Sequence, residues 1–311
     1  MLRCSQRWEP MSIVQDRRIL YFVEATRLGS VRAAADALDV APSAVSRHIA
    51  QLEHELSAAL MERHRRGVRP TEAGERVLEY YRQRLAQQEV LLDALQALRG
   101  LQSGSVVLAV GEGFIDGLAA PLSAFSAQYP KVDVQVTVCG SNEVIRQVAE
   151  DEAHLGCVFN PAADPKIRAH VRRKQPVRLI VNPAHPLARL EGAIMLAGLD
   201  QHRLALPGVS YGIRQILTLA EHQSGFTLTP TLTCNAIAML KRYAINGGVT
   251  LLPQFVVEEE LAHGQLLALP LQHPVFSEPE VQLISRLGRQ LSVGATRLLS
   301  MLLSDMVAFE P

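Results

Sequence analysis

Near the start of the chain, apolar residues recur at helical spacing in three short stretches. Ile19, Phe22 and Val23 form one stripe. Val31, Ala34, Ala35 and Leu38 repeat the i, i+3, i+4, i+7 pattern, and Val45, Ile49, Leu52 and Leu56 make a third apolar face. Gly29-Ser30 separates the first two stretches. Pro42 suits the first turn of the third, where its missing N–H goes unused. Two short helices, a tight turn and a longer helix outline a helix-turn-helix, whose last helix enters the major groove by its N-terminal end. With Val45 and Ile49 inward, Ser43, Ser46 and Arg47 point outward at the leading end, where hydroxyls and a guanidinium reach base edges and phosphates.

Beyond Leu60-Met61 comes a glycine-bearing turn crowded with arginine, from Glu62 through Arg63, Arg65 and Arg66 to Pro70, which reads as a wing. Residues 1 to 100 hold 15 arginines, no lysine and 13 acids, a net of only +2, so the positive charge is concentrated rather than general. Thr71 then stands as the N-cap of a long helix, with Glu72 and Glu75 near the positive end of its dipole. Along that helix Leu78, Tyr81, Leu85, Gln88, Leu92 and Leu95 alternate in steps of three and four, a heptad seam that predicts a dimer. Leu101 to Ser105 reads as a short hinge.

After the hinge the period changes. Strand-like Val106 to Val110, helix-like Leu118 to Gln128, strand-like Val132 to Val138, a helix after Ser141-Asn142 and strand-like Leu155 to Phe159 alternate as βαβ units do. A second series follows: strand-like Val177 to Val181 and Leu204 to Leu206, a helix from Tyr211, strand-like Leu228 to Thr233, a helix from Ala236 and strand-like Val249 to Leu252. Two α/β lobes are expected.

The formal charge balances to +0 over 311 residues, so a nucleic-acid surface has to be a local patch. No run approaches the roughly 18 apolar residues of a membrane span, and the first residues lack an apolar secretion signal; the expectation is a cytoplasmic protein without membrane contact. Cys4, Cys139, Cys157 and Cys234 are scattered, without a C-x-x-C pair or a histidine at finger spacing, so no metal site is expected. Buried free thiols are the plain reading, and a redox pair of Cys139 with Cys157 the sharper one.

The stretch over residues 18 to 78, with Ala33-Ala34-Ala35, Leu38, Ala44-Val45-Ser46-Arg47, Leu52-Glu53 and Thr71-Glu72-Ala73-Gly74, resembles the DNA-binding region of the LysR-type transcriptional regulators. The resemblance extends more loosely through "HPLA" at 185 to 188 and "INGGVTLLP" at 245 to 253. Helices of that family begin near the chain start, so residues before Met11 stand as an extension and Met11 as an alternative start to Met1. The resemblance implies an α+β multidomain protein: a winged helix-turn-helix, a linker helix and a two-lobed effector domain of periplasmic-binding-protein type. Expected boundaries are 13–72, 73–104 and 105–311, with the first lobe at about 105–166 and 269–311 and the second at about 167–268. It implies a transcriptional regulator and not an enzyme, with double-stranded promoter DNA, a second copy of itself in a dimer or dimer of dimers, and RNA polymerase as partners. No cofactor is expected beyond a small-molecule effector between the lobes. Pro42, Ser43, Ser46 and Arg47 are then expected at the DNA, with Ser46 and Arg47 reading bases, and Arg63, Arg65, Arg66 and Thr71 mainly on phosphates.

One pattern competes. Gly208-Val209-Ser210-Tyr211-Gly212 fits the G-x-S-x-G of a hydrolase nucleophile elbow, and Glu258 with His263 or His273 follows in the order of a triad. No HGGG-like stretch precedes it to supply an oxyanion hole, and Pro207 interrupts the strand before the turn. The resemblance implies that the helix starting here opens onto the cleft, so that Ser210 caps it and Tyr211, Gly212 and Arg214 line the mouth. Glu112-Gly113, Ser141-Asn142, Asn160 and Asn235 also fall just after strands and are expected to line the same cleft. The Glu112 carboxylate argues against simply assuming an organic anion and keeps a zwitterionic or cationic effector open.

Overall fold

The computed structural model describes residues 16–64, 67–98, 104–208 and 212–310. They divide into two units at Gln87/Gln88. In the first, α1 (Asp16–Arg27), α2 (Val31–Ala37) and α3 (Pro42–Leu56) precede a hairpin of β1 (Met61–His64) and β2 (Gly67–Pro70) and the long α4 (Glu72–Leu98), which continues into the second unit. Ile19, Phe22, Ala25, Ala34, Ala35, Val45, Ile49, Leu52, Leu60 and Leu78 form the buried core. Removing such side chains from water is the main drive for the domain to close. Leu56 leaves this face and is partly exposed, because the helix stops at a left-handed Ser57.

Side-chain caps fix the joints. Ser30 Oγ accepts the amide of Ala33 at 3.3 Å and starts α2. Glu53 Oε1 accepts the amide of Leu60 at 2.8 Å, tying the end of α3 to the start of β1. Thr71 Oγ1 accepts the amide of Gly74 at 3.1 Å and donates to Ala59 O at 2.7 Å, so one hydroxyl caps α4 and closes the turn before the wing.

The second unit holds two five-stranded sheets. The first has the order β4-β3-β5-β12-β6, from β3 (Gly104–Val110), β4 (Val132–Val138), β5 (Leu155–Phe159), β6 (Ile167–Lys174) and β12 (Glu280–Arg286). It carries α5 (Ile115–Gln128), α6 (Ser141–Ala149) and α10 (Val293–Asp305). The second has the order β11-β7-β10-β8-β9, from β7 (Val177–Val181), β8 (Leu204–Pro207), β9 (Leu232–Cys234), β10 (Val249–Pro253) and β11 (Leu267–Leu269). It carries α7 (Gly212–Ser224), α8 (Ile237–Ile245) and the short α9 (Glu258–Ala262). Ile167–Lys174 therefore belongs to the first lobe, where the sequence reading had begun the second at 167. β6 pairs with β12 along seven registered positions. The chain crosses at Gln175-Pro176 and returns at Pro279, side by side: the Gln175 amide donates to Pro279 O at 2.7 Å.

Smaller differences have local causes. The strand expected over 228 to 233 is confined to Leu232–Cys234, since Pro230 lacks the donor a ladder needs. Pro207 does not interrupt β8 but ends it, opposite Cys234. Cys139, Cys157 and Cys234 are free thiols. A Cys139–Cys157 disulfide is excluded by topology. Cys139 directly follows β4 and Cys157 lies in β5, with β3 between them: Val110 faces Val138 on one side and Cys157 on the other. Two strand spacings put them roughly 10 Å apart, beyond disulfide reach. Burial also pushes the Cys157 thiol well up from its ordinary value.

Candidate nucleic-acid interface and inter-lobe cleft

The sequence of α3 sorts its faces. Val45, Ile49 and Leu52 are buried, while Pro42, Ser43 and Arg47 are exposed and Ser46 is half-buried at the same leading edge. Ala41 begins the helix without a side-chain cap; Pro42 has no N–H and Ala44 donates to Ala41 O at 2.9 Å, so of the first three positions the Ser43 amide is the one that stays available beside these residues. Arg47 has no ion-pair partner among the described residues, and it shares a surface groove with Arg18, Gln51 and His54. Arg18 itself pairs with Glu55, bracing α1 against α3. In the wing, Val68 donates to Gly29 O at 2.9 Å, and a Cβ on Gly67 would lie 2.2 Å from that oxygen. The hairpin therefore docks directly on the turn after α1. Arg65, Arg66 and the side chain of Arg63 lie outside the described residues. The Thr71 hydroxyl, expected on phosphate, is committed to Ala59 and Gly74.

The cleft gathers the carboxyl ends of strands from both lobes, the place where open α/β sheets receive ligands. Glu112 and Gly113 follow β3, Ser141 follows β4 and Phe159 ends β5; Gly212 and Ile213 open α7, Ile237 opens α8, and Phe255 with Val256 follows β10. These surround a cavity of about 30 Å³. Of the expected residues, Glu112, Gly113, Ser141 and Gly212 line it. Ser141 Oγ donates to Phe159 O at 3.0 Å, and Gly212 approaches so closely that a Cβ would lie 2.5 Å from the same oxygen. Asn160 stands beside it, in the left-handed region at φ 47°, its amide on Glu280 O at 2.7 Å.

Asn142, Arg214 and Asn235 do not line this cavity. Asn142 is exposed on α6. Arg214 turns along α7 to the buried Glu221, with its two nitrogens at 3.3 and 3.5 Å. Asn235 packs its side-chain oxygen against Gly208, where a Cβ would lie 2.2 Å away. Ser210 and Tyr211 lie outside the described residues. What the sequence reading missed is the aromatic wall of Phe114 and Phe255, with ring centroids 5.2 Å apart, and the charged flank around Lys241. Lys241 pairs with Asp116 at 2.7 Å and Glu260 at 2.6 Å, beside a groove of about 350 Å³.

A winged helix-turn-helix joined to a two-lobed α/β domain defines a DNA-binding transcriptional regulator rather than an enzyme. Two family descriptions match the chain: the bacterial regulatory helix-turn-helix protein of the lysR family over residues 17–75, and the LysR substrate binding domain over residues 99–307. The chain belongs to the LysR family of transcriptional regulators. It is 30% identical over 298 residues to the SDS degradation transcriptional activation protein of Pseudomonas sp. (strain ATCC 19151), covering 93% of this chain and 95% of that one. Among solved structures, a full-length OxyR variant from Pseudomonas aeruginosa superposes with a TM-score of 0.62 at 16% identity, covering 94% and 98% of the two chains. The regulatory domain of CcmR from Synechocystis PCC6803, solved with 2-PG, gives 0.58 at 20% identity over 66% and 98%. No helix of the described residues is long and apolar enough to cross a membrane.

Proposed function

We propose that this regulator reads a partly palindromic operator through Ser43, Ser46 and Arg47, as a dimer formed along α4, in the cytoplasm, and answers to a small molecule received between its lobes. RNA polymerase is the partner through which the reading reaches transcription. The observation that carries the DNA reading is the edge of α3, where a free guanidinium and two hydroxyls stand over a fully buried opposite face. Arg47→Ala is expected to relax discrimination between operator and random duplex by roughly 1–3 kcal/mol, measured by competition binding at fixed salt. Arg66→Ala, in contrast, should weaken both duplexes alike and lower the salt slope by about one counterion. Equal loss of discrimination from the two substitutions would reject this division of labour.

Self-association rests on the outer stripe of α4. Leu78 and Tyr81 of the heptad series pack into the winged domain's own core, but Leu85, Leu92 and Leu95 remain 45%, 49% and 47% exposed. Three large apolar side chains at heptad spacing on one helix suit a second copy of that helix. The double change Leu85→Glu and Leu92→Glu is expected to convert dimer to monomer in sedimentation velocity; an unchanged sedimentation coefficient would remove α4 from the interface. For the effector, thermal shift with small acids, amino acids and amines is the direct search, because a ligand bound to the folded cleft stabilises by mass action.

A further inference from the structure

Two polar contacts join the lobes along one flank of the cleft. Glu112 Oε1 accepts the amide hydrogen of Ile237 at 2.7 Å, and Lys241 Nζ donates to Asp116 Oδ2 at 2.7 Å. Both acids come from the first lobe, four residues apart, Glu112 in the 3-10 turn Glu112–Phe114 that leads into α5 and Asp116 in the first turn of α5; both partners come from α8 in the second lobe, also four residues apart. One turn of α8 thus meets two matching rungs from the turn leading into α5.

Each rung meets a need the second lobe does not fully meet alone. α8 has no side-chain cap of its own, and a carboxylate at its first amide also faces the positive end of the helix dipole. Lys241 is mostly buried and already touches Glu260 and Val256 O; Asp116 adds the second carboxylate. Between the rungs the lobes touch closely, since a Cβ on Gly113 would lie 3.0 Å from Val256 Cγ2 and 3.6 Å from Ile237 Cδ1. The enclosed space of about 30 Å³ admits no more than a water or two.

Resting on the cleft reading above, we propose that Glu112 and Asp116 form a two-point latch with which the chain closes its own cleft, so that an effector enters only as the latch releases. A ligand that prefers the unlatched form shifts the lobes by its differential affinity for the two forms. Its apparent affinity is reduced by the fraction of molecules unlatched, so latch strength sets the concentration at which the regulator responds.

The test is hydrogen exchange by mass spectrometry on the full-length protein, with Glu112→Ala, Asp116→Ala, their combination, and the conservative Glu112→Gln. The first turn of α8 is expected to exchange roughly tenfold faster in Glu112→Ala and faster still in the combination, with Glu112→Gln in between and α10 unchanged. Wild-type exchange of that turn in the double variant would overturn the latch, as would acceleration spread equally over α10. Should Glu112→Ala not fold, Asp116→Ala at its exposed carboxylate carries the same two outcomes. The effector reading fails separately: a latch that opens as described, in a variant whose melting no screened small molecule raises, leaves the latch standing and removes the cleft ligand. A ligand that stabilises latched and unlatched proteins equally overturns the coupling.

Discussion

Asp151→Ala is expected to lower the stability of the second unit by about 3 kcal/mol, the lower end for breaking a buried ion pair, because Arg289 keeps its contact with Glu89. The Asp151 carboxylate, 9% exposed, stands between Arg286 at 3.1 Å and Arg289 at 2.6 Å, which are 3% and 5% exposed. Arg286 also donates to Ala149 O at 3.1 Å, so it cannot swing to solvent without losing a second bond. Asp151 further sits at φ 61°, which alanine tolerates poorly. Asp151→Gly separates the two causes, since it relieves the backbone and still removes the charge. If glycine restored most of the loss in thermal unfolding followed by circular dichroism, the ion pairs would not be the source.

The same network holds the end of α4. Arg289 donates to Glu89 at 2.7 Å, and Glu89 also meets His154 Nε2 at 3.0 Å. His154 Nδ1 accepts the amide of Val107 at 2.7 Å, which leaves Nε2 as the donor to Glu89. Burial pushes the Glu89 carboxyl up, but the hydrogen bond from His154 together with the charge and hydrogen bond of Arg289 outweigh it and hold the group below its ordinary value. A depressed carboxyl stabilises fully above its unfolded pKa. That contribution fades as pH falls from there through the folded value, so the anchoring of α4 weakens only in acid.

The elements legible in the sequence were those with one physical demand per residue. Val132–Val138, Leu155–Phe159 and Val177–Val181 read directly as strands, from alternation or from continuous apolar runs, and α3 read as a helix because Val45, Ile49 and Leu52 share one buried face. Ile167–Lys174 escaped because it is an edge strand whose Arg168, Arg172 and Lys174 are exposed, so its charges mimic a solvated loop, and the lobe boundary shifted with it. The cleft was legible as a set of strand ends. Its closure was not: Glu112 meets Ile237 across 125 residues, and nothing local to either residue announces the other. Arg214 illustrates the converse, since its cleft role was inferred from position while Glu221, seven residues on along α7, captures it.

Gly74→Ala should destabilise the winged domain by about 2–3 kcal/mol, against the sign of helix propensity, which favours alanine by about 1 kcal/mol. A Cβ on Gly74 would lie 2.0 Å from Leu60 O and 3.1 Å from Phe22 Cζ. That oxygen cannot retreat cheaply, for it accepts the Thr71 amide at 3.0 Å, and Thr71 in turn caps Gly74. The small residue after Thr71-Glu72-Ala73 is thus what lets α4 start against the turn that precedes the wing. Gly117, in the first turn of α5, is the internal contrast: its nearest contact for an added Cβ is Met306 Cε at 3.9 Å. Gly117→Ala should follow propensity and stabilise by about 0.5–1 kcal/mol. Urea unfolding of both variants decides the matter, because opposite signs require that close approach of the helix, not glycine's flexibility, selects Gly74. If Gly74→Ala also stabilised, the packing of α4 on Leu60 would have to be looser than these distances.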